Sequence, residues 1–167
     1  MEKLEFISKN LGKSYDIRIE YIPSMRVLSS YTKASNGEGS DTDAWYEWIT
    51  QNNFPPKVLG NHDHFDYHDT VTGNLVCLRR IADTFVNDSP FTDFIFDDSY
   101  FAALIAYFDQ DMGSIADYLS ASIEHMDNYI LDTSYIKKTK IACMGEEMLS
   151  PFKTCGRYDI FMPVTKV

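Results

Sequence analysis

The stretch 99-SYFAALIAYFDQDMGSIADYLSASIEHMDNYI-130 changes its periodicity halfway along. Tyr100–Phe108 is a run of aromatic and aliphatic residues, the composition of a central strand. Gln110–Gly113 supplies turn chemistry. From Gly113 or Ser114 onward, Ile115, Tyr118, Leu119, Ser122, Ile123, Met126 and Ile130 recur at helical spacing, so a helix is predicted to about Tyr129. Two further strands follow, Ile141–Leu149 and Arg157–Val164, with Pro163 where pairing can end. This half of the chain therefore reads β-α-β-β.

The N-terminal half has the same order. Residues up to Gly12 are a lead-in. Tyr15–Tyr31 alternates, with Ile17, Ile19 and Tyr21 on one face and Arg18 and Glu20 on the other. That is a half-buried strand, interrupted at Pro23. Ala34–Ser40 is a loop, and Ser40 or Asp41 can cap a helix to about Asn52 with Ala44, Trp45, Trp48 and Ile49 as its apolar stripe. Pro55-Pro56 bars its continuation. Val58–Asp69 and Leu75–Ala82 read as strands around Thr72-Gly73-Asn74. Two β-α-β-β halves predict an α+β fold: one antiparallel sheet, both helices on one face, and a ligand pocket on the other. The whole chain, 1–167, is expected to be a single domain.

Composition narrows the function. The formal net charge is −10, and the basic residues are scattered. Phosphate backbones need clustered Lys and Arg, so direct nucleic-acid binding is not expected. No apolar run approaches the ~20 residues of a membrane-spanning helix, and Met1–Ser8 is too short and charged for a signal peptide. The cysteines Cys77, Cys143 and Cys155 form no paired framework, which fits a reducing, cytoplasmic setting. Eleven Tyr and eleven Phe exceed the needs of a core this size. The aromatics on predicted strands (Tyr21, Tyr31, Phe65, Tyr67, Tyr100, Phe101, Tyr107, Tyr158 and Phe161) are candidate pocket walls, and alternation allows only some to point inward. The run Asn61-His-Asp-His-Phe-Asp-Tyr-His-Asp69 offers metal-ligand side chains. On an extended strand His62, His64, Asp66 and His68 would share one face, but the run has neither a Cys partner nor an HExxH, so a polar loop or strand end is expected, with no metal and no other cofactor.

Three stretches together resemble the GyrI-like effector-binding domains. They are Asp16-Ile-Arg-Ile-Glu-Tyr-Ile-Pro23 with Met25-Arg-Val-Leu28, then Ser99-Tyr-Phe-Ala-Ala-Leu104 with Ser114-Ile-Ala-Asp-Tyr118, and Tyr158-Asp-Ile-Phe-Met-Pro-Val164. Asp97-Asp98 replaces the usual Pro and Gly. Such domains occur alone and as ligand sensors of AraC- and MerR-type regulators. The resemblance implies a small-molecule partner, cationic or amphipathic and aromatic, with any DNA-binding domain or partner encoded elsewhere. It also implies a pocket Glu on the penultimate strand: Glu146 is the better match and Glu147 the alternative, since only one can face inward. With Trp45 these residues complete the candidate ligand site: Glu146, Glu147, Tyr21, Tyr31, Trp45, Tyr67, Tyr100, Tyr107, Tyr158 and Phe161. Two other readings stay open. One is a small hydrolase using the same Glu as base, beside Tyr100, Tyr107 or Trp45. The other is an acidic module binding a basic protein.

Overall fold

A computed structural model describes residues 16–55, 61–107, 110–148 and 157–167. Parts of the expected elements lie outside these, namely the lead-in, Tyr15, Pro56, Val58–Gly60, Phe108 and Leu149, as does Cys155. Among the described residues there are nine strands: β1 (Arg18–Ile22), β2 (Met25–Thr32), β3 (His64–Asp69), β4 (Leu75–Arg80), β5 (Phe91–Phe96), β6 (Ser99–Tyr107), β7 (Tyr129–Leu131), β8 (Ile141–Met148) and β9 (Arg157–Lys166). Three α-helices accompany them: α1 (Thr42–Gln51), α2 (Met112–Ile123) and α3 (Thr133–Thr139).

The strand order is β1-β6-β9-β8-β3-β4-β2-β5, with β7 added beside β9. It makes the duplication visible. The halves β2-α1-β3-β4 and β6-α2-β8-β9 form matching triplets joined where β3 pairs with β8 through Asp66–Gly145 and Tyr67–Met144. Each half's leading strand crosses to the other. β1 pairs with β6, and β5 pairs with β2.

The sheet curls. Phe96 of β5 and Phe101 of β6 lie six steps apart in strand order, which in a flat sheet would separate them by roughly 29 Å. Their ring centroids are 6.3 Å apart. The cause is local: only Asp97 and Asp98 connect the two strands. Curling creates an inner and an outer face. Phe65, Phe96, Phe101 and Phe161 fill the inner one, all at most 1% exposed. The helices α1 and α2 lie on the outer one. Trp45 of α1 packs on Leu28 and Cys77, while Ile115, Leu119 and Ile123 of α2 pack on Ala102, Leu104 and Ile160. Each helix is capped as its sequence requires. The Asp41 carboxylate accepts from the Ala44 N–H and that of Asp111 from the Ser114 N–H, a contact worth about 1 kcal/mol.

The second helix is shorter than its apolar stripe predicts. It ends at Ile123, and Tyr129–Leu131 then pairs with β9. The hydroxyl of Ser122 and the ring of His125 bond back to carbonyls of the last turn. Pro163 sits within β9 and not at its end. Its carbonyl accepts from the Asp132 N–H.

Candidate functional site

The outer face is covered at both ends and open in the middle. Helix α1 lies over β2 and β4, and α2 over β6 and β9, leaving β3 and β8 uncovered between them. A cleft of about 860 Å³ occupies that gap. Its apolar walls include Met112 and Ala116 of α2, Cys143 of β8 and Ile160 of β9. Tyr158, Asp66 and His68 are polar residues of its lining, the Tyr158 hydroxyl donating to the Asp66 carboxylate.

Gly145 makes this floor possible. A Cβ there would run into the Tyr158 ring and stand 3.2 Å from Asp66 Oδ1. The tyrosine therefore lies across the strand itself. Its phenol is pushed up by burial first, then by Asp66. Glu147, half-buried, is the direct cross-strand partner of Tyr158. Tyr46 on α1 lies on the same face, towards His64. Its hydroxyl contacts His64 Nε2 at 3.1 Å, and its phenol is pushed up by burial, by Cys77, and by Asp66 and Glu147. Two carboxylates and two phenols thus converge beside an apolar cavity. Cys143 stays a thiol, pushed up to about 12 by burial, so it is a wall and not a nucleophile.

Glu146 points the other way. It is 1% exposed and belongs to the inner face. One oxygen accepts the His62 backbone N–H at 2.7 Å and the other contacts His62 Nδ1 at 2.9 Å. A carboxylate only accepts, so Nδ1 carries the proton. The imidazole is stacked on Phe65 with centroids 5.8 Å apart and meets Phe161 edge-on at 5.9 Å. Its pKa is raised, chiefly by the bond to Glu146, against the lowering effect of burial. Nearby, Asp159 is fully buried between the guanidinium groups of Arg18 and Arg157.

The histidines of the 61–69 run do not share one face, for a backbone reason. His62 has a left-handed φ of 54°, which breaks the alternation before β3 begins. His64, Asp66 and His68 share the outer face; His62 does not. His64 meets Tyr46, and His68 reaches the Gly73 carbonyl at 3.4 Å.

The sequence-predicted site residues fall into four places. Glu147 and Tyr158 are at the outer cleft. Glu146 and Phe161 lie in the inner face, where Tyr31 and Tyr67 border a smaller cavity of about 360 Å³. Trp45 is wholly buried beneath α1. Tyr21, Tyr100 and Tyr107 are about half exposed at strand ends, away from either cavity. The pocket expected opposite the helices is thus limited to one end of that face, the rest being filled by phenylalanines. Asp66, Tyr46 and Gly145 were not singled out from sequence. The one available signal was Asp66 lying between Phe65 and Tyr67, a carboxylate at the centre of a strand.

No protein-family model matches the chain, and no curated protein matches it by sequence. Its fold does match solved structures. EcmrR, in a cryo-EM structure of its DNA complex in EcmrR-RPo, is 15% identical with a TM-score of 0.63, over 99% of this chain and 65% of that one. The EcmrR C-terminal domain is 16% identical with a TM-score of 0.61, over 92% of this chain and 99% of the domain. SAV2435 bound to tetraphenylphosphonium is 8% identical with a TM-score of 0.51, over 90% and 94%. This chain therefore spans 65% of the length of the EcmrR chain it matches. The GyrI-like fold expected from the sequence resemblance is the fold it has.

Proposed function

We propose that the chain is an effector-binding module and that its outer cleft takes a small lipophilic aromatic cation. The observation that carries this reading is the cleft of about 860 Å³, apolar in its walls, with Asp66 under Tyr158 and Glu147 alongside. Its size is within the range of small-molecule sites. Carboxylates offset a ligand's positive charge, and a phenol ring adds cation–π attraction of about 0.5–2 kcal/mol. SAV2435, which shares the fold, is bound to a cation of this class. Glu147 takes the role that the sequence resemblance gave first to Glu146, because Glu146 already holds His62.

A regulatory setting accords with the fold shared with EcmrR, a protein seen on DNA. The formal charge of −10 argues against direct DNA binding by these residues.

Titration with tetraphenylphosphonium tests the site. Glu147→Gln should weaken binding by roughly tenfold to a hundredfold, the loss of a partly desolvated charge contact. Asp66→Asn should weaken it similarly, and Glu146→Gln should leave it within about twofold. Equal small losses in all three variants, abolished by salt, would reduce the effect to surface charge and overturn the reading.

A further inference from the structure

The cavity at the end of the inner face differs in chemistry from the outer cleft. Its volume is about 360 Å³. Tyr31, Tyr67, Phe94, Phe96 and Tyr135 bring five aromatic rings around it, with Ile141 beside them. Four of the rings are fixed: Tyr31, Tyr67, Phe96 and Tyr135 are all under 8% exposed. Helix α3 brings Tyr135 here, stacking it edge-on to Phe101 at 5.6 Å. Rigid aromatic walls around a space of this size suit one or two planar fused rings.

The rim decides the charge of the occupant. The nearby acids are already answered. The Asp69 carboxylate accepts from the Tyr31 hydroxyl and from the N–H groups of Val71 and Thr72. Although burial works against it, these bonds and Lys140 hold its carboxyl below the usual range. Asp93 is held by Arg26 and Asn87. Asp97 contacts Lys138 at 3.0 Å. The cations are less committed. Lys140 Nζ stands 3.8 Å from Asp69 with its side chain 41% exposed, and Lys138 is 68% exposed with one carboxylate contact. Each ammonium has three donors. Two lysines therefore have donors to spare at the mouth of an aromatic box, where Asp69 and Asp93 are held by other partners and Asp97 is shared with Lys138.

We infer that this cavity is a second small-molecule site, for a planar aromatic carboxylate or sulfonate, with the rings among Tyr31, Tyr67, Phe96 and Tyr135 and the anion on Lys138 and Lys140. The site opens on the opposite face of the sheet from the outer cleft, with Tyr67 of β3 bordering both cavities, and its ligand has the opposite charge.

The test uses 2-naphthoate, neutral 2-naphthalenemethanol and cationic 2-naphthylmethylammonium, each titrated into the full chain and followed by amide chemical shifts. Naphthoate should bind best and shift resonances in β5 and α3 and not those of α2. Lys138→Gln/Lys140→Gln should weaken naphthoate at least tenfold and leave the neutral probe within about twofold. Saturating tetraphenylphosphonium should not displace naphthoate. Equal affinity for all three probes, shifts centred on α2, displacement by the phosphonium, or indifference to the double variant would each overturn the assignment. None of these outcomes depends on whether the outer cleft binds its cation.

Discussion

Glu146 and Glu147 are neighbours in β8 that stand in different surroundings. Strand alternation sends one into the curl of the sheet and the other onto the face beneath the helices. The inner carboxylate is 1% exposed, and the chain's own imidazole answers it at 2.9 Å. The outer one is half-buried and paired across the strands with Tyr158, which lines a cavity large enough for a ligand. A buried charge without a partner is costly, so the inward glutamate is a structural commitment. A carboxylate at the edge of an open cleft leaves a visiting cation something to neutralise. The two faces divide the work the same way. The inner face is packed with phenylalanine and holds the curl, whereas the outer face leaves its middle strands bare.

Filling the outer cleft should separate the faces most sharply. In Gly145→Val the new side chain takes the space of the Tyr158 ring. Tetraphenylphosphonium affinity should fall by more than a hundredfold. Overpacking should also cost about 1–3 kcal/mol in stability, measured by urea unfolding. Naphthoate binding at the inner cavity should persist. A Gly145→Val protein that still binds the phosphonium tightly would remove the cleft from consideration.

The inner face is tested through its imidazole. His62→Ala takes away the ring and leaves only the backbone N–H on Glu146. The loss should be about 1.5–3 kcal/mol, the range for hydrogen bonds to charged groups, with little change in phosphonium affinity. The pH dependence has a definite sign. The folded-state pKa of His62 is raised, so its contribution is fully present below the ordinary value of about 6.5 and is lost as pH rises through the folded value. Unfolding free energies of wild type and His62→Ala should therefore converge as pH climbs above neutrality. A difference independent of pH between 5 and 9 would mean that the ring acts only by packing on Phe65 and Phe161.

How much of this was legible in the sequence follows from what is local. The period-two runs and the stripe from Ile115 to Ile123 announce the duplicated β-α-β-β order. Asp41 and Asp111 announce helix starts. The exchange of β1 and β5 between halves depends on pairing across the chain, which no local pattern records. Met126 and Ile130 continue a helical stripe on paper, yet the chain leaves the helix after Ile123 to form β7, and the short α3 went unread. Alternation said that one of Glu146 and Glu147 faces inward. It did not say which face held the open cavity, because that depends on how far apart α1 and α2 lie over the sheet. The left-handed turn at His62 has no sequence signal as strong as a glycine, and it alone brings the imidazole to Glu146. Tyr31, Tyr67 and Tyr158 line cavities, Tyr31 the inner one, Tyr158 the outer one and Tyr67 both.

The smallest effect concerns aromatics that neither face uses. Tyr21 and Tyr100 are opposite each other in the β1–β6 pair, with ring centroids 5.2 Å apart, and are 51% and 49% exposed. The Tyr21 hydroxyl donates to Asp98 at 2.7 Å, but an exposed bond of this kind exchanges for water at little net cost. A directly opposed aromatic pair contributes about 0.2–1 kcal/mol relative to alanines. A double-mutant cycle of Tyr21→Ala and Tyr100→Ala should therefore give a coupling free energy in that range. Neither single variant nor the double should change the affinity for tetraphenylphosphonium or naphthoate by more than about twofold. The value of so small a result lies in what it separates. Both residues are tyrosines on strands, equal by composition to Tyr67 and Tyr158, and they differ only in what lies over their rings. A tenfold loss of phosphonium affinity in Tyr100→Ala would place ligand at the exposed end of β6, and would mean that the outer cleft does not set where this sheet binds the cation.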